Sequence, residues 1–181
     1  MRYLRRFVWA VAVRLLAATV ILSLCVVVFY YAMDMANIHV VLKDGMAARA
    51  KVVMMGEDAD VLTRYFQSSF LERDAVLTSS SPYTDYNVRG IDHRIEMGFF
   101  WKMPWDETVR VDITERVPAI DGRIKSSKAD AAIAERGESA LYPPKWQSAR
   151  YRAVLVKENG SWKIRSLTLI EVLEEDTDTD S

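Results

Sequence analysis

The chain is short of the residue types that most often carry chemistry. It holds one cysteine and two histidines among 181 residues. The lone Cys25 excludes an intramolecular disulfide, and its place inside an apolar run excludes a catalytic thiol elsewhere. His39 and His93 are too few for a multi-histidine zinc site. No glycine-rich phosphate loop is present, and no serine stands in a nucleophile-elbow context. Asp58, Asp60, Asp176 and Asp178 lack the ordered ligand spacing of a calcium loop. Charge of one sign is also missing: 24 Lys and Arg against 25 Asp and Glu leave a net charge of −1, which gives no bulk attraction to nucleic acid. No internal repeat is found. Neither a metal nor a cofactor is expected.

What the chain does have is an uncharged apolar run over 15–33 behind an arginine-rich start. As a helix the run is about 29 Å long, close to the roughly 30 Å hydrocarbon core of a bilayer. Arg2, Arg5, Arg6 and Arg14 precede it and Asp34 follows closely, a bias that predicts a cytoplasmic N-terminus. Trp9 on one side and Tyr30 and Tyr31 on the other occupy the usual places of interfacial aromatics. The alternative is a cleaved leader, but its apolar core is usually about 7–15 residues and ends at a small-x-small site, which Ala32-Met33-Asp34 does not offer. Lipoprotein processing at Cys25 fails because Leu24 stands where a small residue is needed. The expected organisation is a cytoplasmic N-terminus at 1–14, a transmembrane helix at 15–33, one extracytoplasmic domain at 34–172 and an acidic, disordered tail at 173–181. The protein is thus expected in the cell membrane, single-pass, with its C-terminal domain outside or periplasmic.

The spacing of Val41, Gly45, Ala48, Val52 and Met55 predicts a helix over 35–55, with Lys43, Ala47, Ala50 and Lys51 on its far side. No proline or turn cluster separates it from the apolar run, so a simple continuation of the membrane span is open to it. Gly56 suits a left-handed cap. A second helix is expected after Glu57, with Leu62, Tyr65, Phe66, Ser69 and Phe70 on its apolar face, broken by the cluster at 78–82.

The period then changes from 3.6 to 2. Ile91, Ile95, Met97, Phe99 and Trp101 alternate with Asp92, Arg94 and Glu96 in a half-buried strand that includes His93. A turn at 102–107 leads to Val109, Val111, Ile113 and Val117, ended by Pro118 and Asp121-Gly122. The connection at 119–147 holds a short helix over 128–136, capped by Ser127 and followed by Gly137. Last come two β-rich runs around Asn159-Gly160, the preferred pair for a type I′ hairpin. That turn pairs Lys157 with Trp162, Leu155 with Ile164 and Tyr151 with Thr168. Val154, Val156, Leu167 and Leu169 then share the outer face, too apolar for a fully wet surface.

Two helices, a long hairpin, a connection and a closing hairpin give an α+β domain. The helix VLTRYFQSSFLE and the hairpin YRAVLVKENGSWKIRSLTLIE, in this order, resemble the nuclear transport factor 2-like, or cystatin-like cone, superfamily over about residues 36–172. The resemblance implies a cone-shaped domain with helices packed on a curved antiparallel sheet. With a membrane anchor in front, the layout is similar to the periplasmic scaffold subunit of type IV secretion systems. Soluble relatives of the same superfamily include isomerases and dehydratases that use acidic or histidine residues in the cone.

The residues to weigh for chemistry are His93 and Glu115. A register that places Ile95 opposite Glu115 makes His93 a diagonal neighbour, about 7–8 Å away between backbones. The plainer reading is a satisfied core histidine, with Glu115 reaching water beside Pro118 at the rim. At the turn, Phe99 and Trp101 keep the apolar phase and are expected to pack, while Phe100 and Trp105 are contact candidates with Val154, Val156, Leu167 and Leu169. The expected function is non-enzymatic: a membrane-anchored scaffold or accessory subunit of a bacterial envelope assembly, partnered by other envelope proteins and able to self-associate, with no nucleic acid. The alternative is a tethered small-molecule-binding or lyase/isomerase-type domain using His93 and Glu115.

Overall fold

The computed structural model describes residues 2–173, so the expected tail lies outside the described residues except for Leu173. Helix α1 (Arg2–Met55) runs unbroken for 54 residues, about 80 Å. With no proline to remove a backbone donor, nothing interrupts it until Gly56. That glycine takes φ +70° and donates its N–H to Val52 O at 3.2 Å. The positions from Arg5 to Tyr30 are exposed, whereas the C-terminal half buries Ile38, Leu42, Met46, Ala50 and Val53. The buried stripe therefore differs from the expected one. Ala50 is in the core rather than on the far side, and Val41, Ala48 and Val52 flank the stripe.

The expected second helix is not formed as one piece. A 3-10 turn (Ala59–Arg64) is followed by α2 (Ser68–Leu71) and α3 (Ala75–Thr78). Between the turn and α2, Tyr65 O accepts from Ile164 N–H at 2.7 Å and Gln67 N–H donates to Ile164 O at 3.0 Å. Those two bonds draw 65–67 alongside the last strand and take the backbone groups that a continuous helix needs. Leu62 and Phe66 are still fully buried, so the apolar signal was real although the conformation differs. Gly45 permits this approach, since a Cβ there would lie 2.9 Å from Tyr65 Cβ.

Among the described residues one antiparallel sheet forms from β1 (Tyr86–Met97), β2 (Thr108–Ile124), β3 (Ala149–Glu158) and β4 (Ser161–Val172), in the order β1-β2-β3-β4. Its inner face sets Val109, Val111, Ile113, Ala153, Leu155, Trp162 and Ile164 against Ile38, Leu42 and Met46 of α1. Further along α1, Ala50, Val53 and Met54 meet Tyr83 and Val117. Burial of each large apolar side chain stabilises by about 1.5–3 kcal/mol. The architecture is α+β, as expected.

Three local expectations are corrected. Strand β2 does not stop at Pro118 but continues to Ile124. Its pairing with β3 ends at Glu115, so Pro118 falls in a two-stranded extension with β1, where a missing donor is tolerated. Helix α4 (Ser126–Arg136) starts after Lys125, with Ser127 inside its first turn, and ends at Gly137 with φ +80°. At the tip, β1 ends at Met97, and the alternation fails once the ladder no longer enforces it. Phe99 and Trp101 are 92% and 65% exposed, while Phe100 turns onto the core.

The closing hairpin has the expected turn, with φ +50° at Asn159 and +82° at Gly160. Lys157 pairs with Trp162 and Leu155 with Ile164. A bulge at Arg165 then shifts the register by one, so Tyr151 faces Leu169 rather than Thr168. Leu167 lies opposite buried Ala153 and packs on the core, so Leu167 and Leu169 are on the inner side of β4. Val154 and Val156 remain on the outer side, and the four do not form one face. Gly160→Val should cost about 1–2 kcal/mol, because a β-branched residue resists the left-handed region. The full chain should melt several degrees lower in detergent; an unchanged melting temperature would contradict the turn assignment.

Candidate functional site

Two polar clusters lie between α1 and the sheet. The first is built on Arg49, one turn beyond Met46 on the buried stripe. Its Nε and Nη2 donate to Asp74 Oδ2 and Oδ1 at 2.6 and 3.0 Å, a bidentate pair with both side chains almost wholly buried. Asp74 also caps α3, accepting from Val76 N–H at 3.1 Å. Burial works against the Arg49 charge, but the Asp74 hydrogen bonds and the charges of Asp74 and Glu115 outweigh it, and its pKa rises.

The same cluster contains the sequence candidates. The register pairs Ile95 with Glu115, as expected, and brings His93 Nε2 to 2.9 Å from Glu115 Oε1. Glu115 is not at a rim. It is 0% exposed, because β2 runs well past it and β3 covers its other side. Tyr151 on β3 stands near enough for Glu115 to act on its phenol. Burial and then that carboxylate raise its pKa, Arg49 opposes and Asp74 adds to the rise. Arg49 Nη1 and Glu115 Oε2 are buried and take no hydrogen-bond partner among the described residues.

The second cluster sits where α1 enters the domain. Asp34 accepts from Lys102 Nζ at 3.0 Å, from Lys157 Nζ at 3.1 Å and from Trp162 Nε1 at 3.4 Å. Lys102 also donates to Met103 O at 3.0 Å, and both lysines lie over the Trp162 ring. Partial burial works to raise the Asp34 pKa. The hydrogen bonds from Lys102, Lys157 and Trp162 prevail, and the carboxyl titrates below its ordinary range.

Chemically, the first cluster has the parts of an acid–base pair, an imidazole on a carboxylate beside a guanidinium and a phenol. The His93 side chain is 6% exposed and Glu115 has no exposed surface. Three of the grooves on the described surface run along Asn37, Asp44, Tyr65 and Ser161, beside Trp9, and along Glu96, Asp112 and Arg150. None of the three is lined by His93 or Glu115. Among the described residues no group of three or more metal-ligating side chains forms.

Sequence reasoning placed His93 against Glu115 but missed Arg49, Asp74, Asp34 and Lys102. Arg49 had a signal, being charged on the stripe of Leu42, Met46 and Val53. Lys102 had one too, as a lone cation among Phe99, Phe100, Trp101 and Met103. Of the contact candidates, Trp105 and Leu169 are exposed, Phe100 and Leu167 pack on the core, and Val154 and Val156 are half-buried. Comparison with known families, curated proteins and solved structures finds no match.

Removing one partner of a buried ion pair leaves the other unpaired. Asp74→Ala should therefore destabilise the protein by about 3–5 kcal/mol, read as a large drop in melting temperature. A drop no larger than that of a surface substitution would refute the pairing. For Asp34 the folded pKa lies below the unfolded value of 3.8. Its stabilisation is therefore complete above the ordinary carboxyl range and is lost as pH falls through the folded value. Asp34→Asn should lower the melting temperature at neutral pH and reduce its fall on acidification; parallel pH profiles for both proteins would argue against it.

Proposed function

We propose that the chain is a single-pass, membrane-anchored scaffold or accessory subunit of an envelope protein assembly, acting through protein–protein contacts rather than catalysis. In this reading residues 15–33 cross the membrane, the N-terminus is cytoplasmic, and the sheet domain, a cone curved around α1, lies outside or in the periplasm. The observation that carries the proposal is α1 itself. It is long and apolar enough near its N-terminus to cross a membrane, and without a break it becomes the central strut of the domain core. A domain that grips its anchor by Asp34 at one end and Arg49 at the other is held at a set height and orientation, which suits a part in an assembly. The resemblance in layout to the periplasmic scaffold subunit of type IV secretion systems supports the same reading.

The contact surface favoured by the geometry is the free edge of β4. Residues 65–67 pair with β4 only around Ile164. Beyond Arg165 that edge is unpaired among the described residues, and it exposes Leu169, Ile170 and Val172, with Leu169 53% exposed. An edge of this kind accepts an added strand, from a second copy or another envelope protein. A second reading, a tethered small-molecule or lyase/isomerase-type domain, is favoured by the 2.9 Å contact of His93 with Glu115.

One comparison separates the two. In protein solubilised from its native membrane, Leu169→Glu should abolish co-purification of partners because it puts a charge into the contact. Glu115→Gln, which keeps the shape and a hydrogen-bond acceptor, should leave it intact. Retained association in Leu169→Glu, with function lost in a folded Glu115→Gln protein, would reject the scaffold reading in favour of the second.

A further inference from the structure

The two hairpin turns at the Asp34 end of the sheet differ in chemistry and reach. The β3–β4 turn, Glu158-Asn159-Gly160-Ser161, is polar, and its Gly160 and Ser161 line a groove with Asn37, Val40, Val41 and Asp44 of α1. The β1–β2 tip at 98–107 reaches further toward the helix N-terminus. The Trp101 ring lies 6.1 Å from that of Tyr31, in the last apolar turn before Asp34. Residues 31 and 34 are separated by about 4.5 Å along the axis, so the tip stands at the depth where the apolar run ends.

The tip is largely apolar on its outside, with Glu107 exposed where it joins β2, and it is formed in advance. Phe99, Trp101 and Trp105 are 92%, 65% and 76% exposed, and Met103 is also exposed. Lys102, the tip's one cation, is folded inward onto Asp34, away from this surface. A turn around Pro104 fixes the shape: Asp106 N–H donates to Met103 O at 3.0 Å, and Asp106 Oδ2 accepts from Met103 N–H at 2.7 Å. Exposed tryptophan and phenylalanine held rigidly beside the end of an apolar helix are matched by one medium, the interfacial layer of a bilayer, where such rings are favoured. A protein partner at that height would have to displace lipid headgroups to reach them.

We propose that the β1–β2 tip is a second membrane contact, with Phe99, Trp101, Met103 and Trp105 entering the outer interfacial layer beside the span. The proposal rests on the reading of 15–33 as a membrane span. Together with the helix it gives the domain two attachment points on the lipid surface, which prevents rotation about α1.

Both parts are tested in the full chain with Cys25→Ala, reconstituted in vesicles of phosphatidylcholine and phosphatidylglycerol. An environment-sensitive fluorophore is attached in turn to Phe99→Cys, Trp105→Cys, Leu22→Cys and Glu138→Cys. Phe99 and Trp105 are exposed, so their replacement does not disturb the core. Labels at 99 and 105 should lose emission to lipids brominated near the glycerol backbone. The label at 22 should lose it to lipids brominated near the chain ends, and the label at 138 to neither. Quenching at 22 without quenching at 99 and 105 overturns the tip contact, leaves the span standing and assigns the aromatics to a protein partner. Quenching at 99 and 105 without quenching at 22 supports the tip contact and overturns the span. No quenching at any of the three overturns both.

Discussion

A single helix that is exposed on all sides along one half and amphipathic along the other constrains the whole molecule. Helix α1 has no hinge, so whatever holds its N-terminal half also orients the sheet packed on its C-terminal half. The apolar stripe of Ile38, Leu42 and Met46 supplies the burial, but apolar packing alone leaves a helix able to slide or rotate in its groove. The two charged clusters remove that freedom. Asp34 is reached by Lys102 from the β1–β2 loop, Lys157 from β3 and Trp162 from β4. Arg49 is gripped by the cap of α3.

Buried charges seldom stabilise more than apolar residues of the same shape, because desolvation offsets most of the attraction. Their effect is specificity: any other register of α1 against the sheet strands a charge in the interior. The same argument bears on His93 and Glu115. A carboxylate with no exposed surface, held by an imidazole and close to a guanidinium, is accounted for as part of this locking network.

The sequence expectations succeeded where one local rule decided the outcome. Asn159-Gly160 formed its type I′ turn, Gly56 and Gly137 ended their helices, and the parity of Ile95 and Glu115 brought His93 to its partner. They failed where a distant segment competed for the backbone. Residues 59–71 carry a helical apolar pattern, yet Tyr65 and Gln67 bond to Ile164, a partner that no local window contains. The bulge at Arg165 is of the same kind. It reverses the facing of Leu167 and Leu169, and nothing in the alternation of the strand announces it.

The sequence by itself determined the long apolar stretch, the change of period from helix to strand and the closing turn, because each follows from backbone chemistry within a few residues. Tertiary structure decided which stripe of α1 is buried, which aromatics of the 98–107 tip face outward, and how deep Glu115 lies. Those outcomes depend on where chain segments distant in sequence meet. Arg49 and Asp74 are 25 residues apart and Asp34 and Lys157 are 123, and only a folded chain can pair their charges.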